Sequence, residues 1–333
     1  MAKPEGSAED RLIARYFRPL ATHPGALGLA DDAAILVPPP GCDLVLKADA
    51  IIGGVHFFPD DPAGAVGRKA LRVNLSDLAA KGAKPVGFLL SLALPAGTPD
   101  AWLADFADGL RADAQFYGCP LFGGDTDRTP GPVMVSIAAF GTVPHGSMVR
   151  RSGAKPGDCV FVSGTIGDAA LGVKLRREPA LAARYQLEPR ERDHLLARYL
   201  IPEPRVDLSE QIRLQASAAM DVSDGLAGDL AKLCAASGVS ADVEIEQVPL
   251  SDAARRVVAV DEHARELAVT GGDDYEVVCT IAAENREAFR AAALASGVAV
   301  TEIGRIVAGR AAPRFRDRHG HPLEFAHPSF SHF

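Results

Sequence analysis

Residues 66–94 read VGRKALRVNLSDLAAKGAKPVGFLLSLAL. From Val66 to Ala80 the apolar side chains recur at helical spacing, and the run stops near Gly82. Gly87 to Leu94 is almost unbroken in apolar residues and predicts a buried strand. Thr98 and Pro99 then open a helix that reaches Tyr117. Helix, buried strand, helix is the order of an α/β lobe. Upstream, Ser7 caps a first helix with Asp10 three residues on, and Leu12, Ile13, Tyr16, Phe17 and Leu20 share a face. Ile35 to Val37 and Leu44 to Ala48 predict short strands around the turn Pro38-Pro39-Pro40-Gly41. Val133 to Val143 predicts another.

Pro144 to Gly157 is rich in Pro, Gly and Ser and carries Arg150, Arg151 and Lys155, which marks a domain boundary. Residues 1–147 and 148–333 are the expected domains. The second begins again with a strand, Cys159 to Ser163. Helices are expected over 168–176, 191–200, 207–217, 226–236 and 284–295, and strands over 219–222, 239–246, 276–281 and 298–305. Leu75-Ser76-Asp77-Leu78 is faintly echoed by Val222-Ser223-Asp224-Gly225-Leu226, too briefly to prove duplication.

The 333 residues are 47% hydrophobic and 23% charged, ordinary for a globular chain and unlike a disordered or fibrous one. The longest apolar run, Val86 to Ala96, is too short to cross a bilayer, and the N-terminus has no apolar signal core. A net charge of -8 without a basic stripe argues against a nucleic-acid partner. Cys42, Cys119, Cys159, Cys234 and Cys279 form no CxxC pair, which excludes a zinc ribbon or thioredoxin motif and suggests a reducing cytoplasm. Cys159 and Cys279 read as small core residues.

Walker A, GxGxxG, HRD, DFG and HExxH are all absent. What stands out is aspartate beside small residues in loops after strands: Asp31-Asp32, Asp49, Asp77, Gly123-Gly124-Asp125-Thr126, Asp221-Val222-Ser223-Asp224-Gly225 and Gly271-Gly272-Asp273-Asp274. Short carboxylates suit Mg²⁺, which takes hard oxygen ligands and shares them with phosphates. Glycines let backbone approach a phosphate. Each Asp alone is equally a cap or turn residue, His56 alone a half-buried histidine, and Arg151 alone a surface base. Spacing does not show that they converge.

Taken in order, these stretches resemble the thiamine-monophosphate kinase family, in the superfamily of aminoimidazole ribonucleotide synthetase. The resemblance rests on Asp31-Asp32-Ala33-Ala34, Gly54-Val55-His56-Phe57, KALRVNLSDLAAKGA from Lys69, Gly123-Gly124-Asp125-Thr126, RSGAKPGD from Arg151, DVSDGL from Asp221 and GGDDYE from Gly271, over residues 7–333. It implies a two-lobed α/β (α+β) fold, with an N-terminal lobe that dimerises through its sheet, a C-terminal lobe, and the active site between them. It implies a cytoplasmic homodimer that transfers the γ-phosphate of ATP to thiamine phosphate with several Mg²⁺ ions. Asp32, Asp49, Asp77, Asp125, Asp221 and Asp224 match the family's metal ligands. Gly124, Asp125, Arg151 and Ser223 match its ATP contacts, and His56, Asp273 and Phe330 its thiamine phosphate contacts.

This sequence departs from the family at Ala30, where a Gly often stands, and at Asp273, commonly Glu. The larger departure is Lys47-Ala48 before Asp49, where relatives usually carry hydroxyl residues that add metal ligands. Ala48 offers only a carbonyl. Lys47 either supplies a fixed cation that partly replaces a metal, or points to solvent. The chemistry suits the residues. A phosphate monoester is mostly dianionic at neutral pH and needs no strong base, so neutralising anion repulsion and aligning an in-line attack is the main task. Rival activities on this fold fit less well: selenophosphate synthetase wants a reactive N-terminal Cys, and the hydrogenase-maturation dehydratase a C-terminal Cys. A non-catalytic nucleotide or metal sensor would have no need of all six Asp.

Overall fold

Gly64, Gly67 and Gly109 fix how the first part of the chain packs. In a computed structural model that describes residues 7–329, a Cβ on Gly67 would lie 2.4 Å from the Phe106 carbonyl oxygen, and one on Gly109 2.1 Å from that of Gly64. Only glycine lets these two helices touch. They belong to the first of two compact units. That unit runs to Leu78 and resumes from Lys84 to Gly146, while Ala79–Ala83 group with the unit that continues from Ser147.

The first unit opens with α1 (Ala8–Leu12). Ser7 Oγ accepts the Asp10 amide at 3.0 Å, and the Asp10 carboxylate accepts the Ser7 amide at 2.6 Å, the expected reciprocal cap. The helix then widens into a π turn and tightens into a 3-10 turn, burying Tyr16, Phe17 and Leu20. Next come β1 (Cys42–Ile52), α2 (Ala63–Ala80), β2 (Lys84–Pro95), α3 (Asp100–Phe116), β3 (Leu121–Thr129) and β4 (Met134–Pro144). The sheet order is β1-β4-β2-β3, antiparallel except for β2 with β3. Strand β1 alternates strictly: Val45, Lys47, Asp49 and Ile51 face inward, while Leu44, Leu46, Ala48 and Ala50 are exposed.

Two expectations fail here. No strand forms at Ile35–Val37. Ile35 takes one bond from its amide to the Gly25 carbonyl, and the three prolines that follow have no N–H to donate. Conversely three stretches expected in loops are in regular structure: Gly123–Asp125 lies in β3, an edge strand whose outer half is exposed, Asp49 lies in β1 and Asp77 in α2.

In the second unit, β5 (Cys159–Ser163) leads to α4 (Asp168–Arg177), α5 (Leu181–Arg184), α6 (Pro189–Leu200) and α7 (Ser209–Gln215). Then come β6 (Ala216–Val222), α8 (Leu226–Ser237), β7 (Ser240–Glu244), α9 (Asp252–Val260) and α10 (His263–Thr270). The unit ends with β8 (Glu276–Ile281), α11 (Arg286–Ala295), β9 (Val300–Val307), β10 (Arg314–Arg316) and β11 (Pro322–Leu323). The sheet order is β11-β10-β7-β9-β5-β8-β6. Fully buried β5 serves two cores: Val160 and Val162 pack with α8, Cys159 and Phe161 with α11 and α7. A third cluster joins α4, α6, α9 and α10. Helices α9 and α10 fill a stretch the sequence reading left without structure.

Candidate active-site residues

In the first unit, β1 and α2 bring Asp49 and Asp77 to one ammonium. Lys47 Nζ lies 3.1 Å from Asp49 Oδ1 and 2.8 Å from Asp77 Oδ2. Strand geometry puts Lys47 and Asp49 on the same face, and α2 presents Asp77 to it. The Asp49 amide donates to Asn74 Oδ1 at 2.9 Å, one helical turn before Asp77, which locks strand to helix. Burial alone would pull the Lys47 ammonium's pKa down; Asp77 and then Asp49 more than offset this and hold it above its ordinary range. Lys47 therefore does not point to solvent, and Ala48 turns to the opposite, exposed face.

His56 sits just after β1. Its Nδ1 accepts the Ile52 amide at 3.0 Å, and its carbonyl accepts the buried Lys69 ammonium at 3.0 Å. With Nδ1 an acceptor, the ring proton of the neutral form is on Nε2, which can donate to an anion.

Asp32, Gly124 and Asp125 meet at a cavity of about 680 Å³, lined also by Leu46, Leu89, Phe122 and Phe140. Asp32 and Asp125 are exposed carboxylates at the rim of an apolar pocket. A Cβ on Gly124 would fall 1.7 Å from the Leu90 carbonyl oxygen, so the backbone of β3 stays bare there.

In the second unit, Asp221, which is 3% exposed, lies one residue before the end of β6, and the chain turns through Ser223 and Asp224 into α8. The Ser223 and Asp224 amides both donate to Asp229 Oδ2, at 3.0 and 2.9 Å. Lys232 bridges Asp224 and Asp229, the latter at 2.8 Å. Asp273 is half-buried, and its amide donates to the Ser223 carbonyl at 2.9 Å. Arg151 is exposed. Phe330 lies outside the described residues.

The sequence-derived carboxylates thus fall into groups: Asp32 with Asp125, Asp49 with Asp77, and Asp221 and Asp224 on the β6–α8 turn. Among the described residues, no three His, Cys, Asp or Glu side chains are placed to hold a metal ion. The donor chemistry still fits Mg²⁺: the candidate groups are carboxylate oxygens, most of them accessible, with no sulfur or imidazole between them. Sequence reasoning missed Lys232 and Asp229, and quoted Asp274 and Tyr275 in the GGDDYE motif without giving them a role. For Lys232 a signal existed, the i,i+3 spacing to Asp229.

A family model described as AIR synthase related protein, N-terminal domain, matches residues 30–143, and its C-terminal domain counterpart matches residues 155–314. The thiamine-monophosphate kinase of Caulobacter vibrioides is 44% identical over 303 residues, which cover 89% of this chain and 83% of that one. The crystal structure of thiamine-monophosphate kinase from Stenotrophomonas maltophilia K279a is similar with a TM-score of 0.83 at 40% identity, over 97% of this chain and 99% of its own. AaThiL complexed with AMPPCP and TMP gives a TM-score of 0.77 at 32% identity, over 91% of each chain. By motif order, fold and identity over most of its length, this chain belongs to the thiamine-monophosphate kinase family of AIR synthase related proteins.

Proposed function

We propose that this chain transfers the γ-phosphate of ATP to thiamine phosphate, giving thiamine diphosphate. The observation that carries the reading is 44% identity over 303 residues with a thiamine-monophosphate kinase, with the Asp and Gly motifs in family order. AaThiL, a relative at 32% identity, is complexed with AMPPCP and TMP, an ATP analogue and a thiamine phosphate.

In this reading residues 1–147 and 148–333 are the two domains. Asp32, Asp49, Asp77, Asp125, Asp221 and Asp224 hold Mg²⁺, which when bound neutralises phosphate charge and supports in-line transfer. Gly124, Asp125, Arg151 and Ser223 bind ATP. The bare backbone at Gly124 admits a phosphate closely, and the Arg151 guanidinium can clamp one. His56 donates from Nε2 to a phosphate oxygen of the acceptor. Asp273 faces the cationic heteroaromatic end of thiamine phosphate, and Phe330, outside the described residues, is assigned to the same end by the family motif alone. No group needs to act as a strong base, because the attacking oxygen already carries charge.

The exposed face of the first sheet supports a homodimer. Leu44, Leu46 and Leu89 are exposed on it, Leu46 by 69%, and in register beside them lie Ala48, Ala138 and Phe140. An apolar sheet face of this kind is covered by a partner in a stable protein. The cysteines support a reducing cytoplasm. All five are free, and burial pushes the Cys119 thiol up to about 12 and the Cys234 thiol up to about 11. Among the described residues, no helix is long and apolar enough to cross a membrane.

The test is direct. Purified protein with ATP, Mg²⁺ and thiamine phosphate is expected to form thiamine diphosphate and ADP in equal amounts. ADP released without thiamine diphosphate would remove the assigned acceptor.

A further inference from the structure

The segment Gly271-Gly272-Asp273-Asp274-Tyr275-Glu276 places neighbouring carboxylates in opposite surroundings. Asp273 is half-buried; Asp274 is 1% exposed. The Asp274 carboxylate accepts the Gly167 amide at 2.7 Å and the Ala169 amide at 3.3 Å, at the first turn of α4. A Cβ on Gly167 would lie 2.3 Å from Ala268 Cβ, so glycine lets that turn seat closely. The Asp274 carbonyl accepts Arg198 Nη2 at 3.2 Å, and the same nitrogen reaches Glu276 Oε1 at 2.8 Å.

On both sides of this anchor the backbone is left-handed, with φ of 76° at Asp273 and 52° at Tyr275. Aspartate tolerates that region; tyrosine rarely adopts it. Such conformations persist only where the surroundings fix them. Here the Asp273 amide bonds to the Ser223 carbonyl at 2.9 Å and the Tyr275 amide to the Val222 carbonyl at 2.8 Å. The Tyr275 hydroxyl donates to Asp273 Oδ1 at 3.3 Å. Asp273 is therefore aimed from two sides: through its main chain by the anchored Asp274, and through its carboxylate by Tyr275.

We propose that Asp274 and Tyr275 are positioning residues that aim the Asp273 carboxylate at the cationic end of thiamine phosphate and so set the affinity for that substrate. This rests on the reading of Asp273 as a substrate contact. Buried Asp274 has no route to the substrate itself. Its effect runs through the left-handed turn, since a carboxylate held in one direction binds a cation without first losing rotamer freedom.

The test is steady-state kinetics on variants of the full chain. Asp274→Asn keeps the shape but sets an amide NH₂ against a backbone N–H. It is expected to raise the KM for thiamine phosphate about tenfold and change the KM for ATP less than about twofold. The double variant Asp273→Ala with Asp274→Asn is expected to be no worse than Asp273→Ala alone, because the positioned group is already gone. Additive losses, or equal rises in both KM values, overturn the proposal. If Asp274→Asn does not fold, Tyr275→Phe decides. It removes only the hydroxyl and is expected to raise the KM for thiamine phosphate about threefold, with no effect in an Asp273→Ala background. An unchanged KM overturns the proposal. If Asp273→Ala itself leaves that KM unchanged, Asp273 is no substrate contact; the proposal falls with its premise, and the single variant identifies that cause.

Discussion

Each unit holds a lysine between two aspartates, and the two arrangements do different work. Lys47 joins Asp49 on β1 to Asp77 on α2, groups far apart in sequence and on different elements. Their side chains are 40% and 14% exposed, so both remain within reach of a ligand. Lys232 joins Asp224 to Asp229 within one short turn and helix. Asp229 is fully buried, and one of its oxygens already accepts two backbone amides. Burial pushes its pKa up, with Lys232 pulling it back. The first lysine balances two carboxylates proposed as metal ligands; the second braces one such proposed ligand against a structural anchor. Similar ion-pair geometry therefore says little until the other bonds of each carboxylate are counted.

The contrast is sharpest at the anionic partners. Asp77→Asn is expected to lower turnover at least about a hundredfold at saturating Mg²⁺, because it removes charge needed beside the phosphates. The same change should shift stability by less than about 1 kcal/mol, since a partly exposed ion pair contributes little. Steady-state rates and a melting curve on one preparation check both. Near-normal turnover would make Asp77 a helix-surface residue and end the proposed ligand role.

Asp229→Ala is expected to do the reverse. Losing a buried acceptor of two amides and an ammonium costs about 3 kcal/mol, seen as a lower urea midpoint. The protein that remains folded should keep a measurable rate. A cost below about 1 kcal/mol would place Asp229 with Asp77 and erase the distinction between the units.

The sequence made some of this legible and hid the rest for identifiable reasons. Helices α2 and α3 and strand β2 follow from periodicity, because their apolar faces pack against one sheet. Strand β3 was missed because its outer half, Gly123-Gly124-Asp125-Thr126-Asp127-Arg128, has the composition of a turn. Its pairing is supplied by β2, in parallel register from Leu89↔Gly123 onward. Helices α9 and α10, 9 and 8 residues long, pack largely against α4 and α6, with only Val269 of α10 reaching the sheet core, and so carried no familiar αβ alternation. At the site, the residue types were readable because several Asp–small-residue stretches recur in one chain in the family's order, although each alone has the composition of an ordinary turn. The partnerships were not. That Lys47 would find Asp77 depends on where α2 sits over β1, and nothing local in Lys47-Ala48-Asp49 specifies it.

The smallest expected effect separates the two lysines themselves. If Lys47 stands in for part of a bound cation, its removal takes away the ammonium that lies between Asp49 and Asp77. Losing that positive charge favours a divalent ion between them. Lys47→Thr also supplies a hydroxyl oxygen of the hard kind such an ion takes. Calorimetric titration with Mn²⁺ in the presence of a non-hydrolysable ATP analogue should then find about one more ion per chain than in the parent. The rate should also depend more steeply on Mg²⁺. Lys232→Thr should leave the ion count unchanged, because Asp229 stays buried on its two backbone amides even though both it and Asp224 lose the ammonium. Its cost should be a stability loss of about 1 kcal/mol, because buried Asp229 loses its counter-ion but keeps two amide donors. An extra ion in both variants would mean that any lysine near these carboxylates merely competes with metal. An extra ion in neither would make Lys47 a strut like Lys232, and the two units would then use their lysines alike.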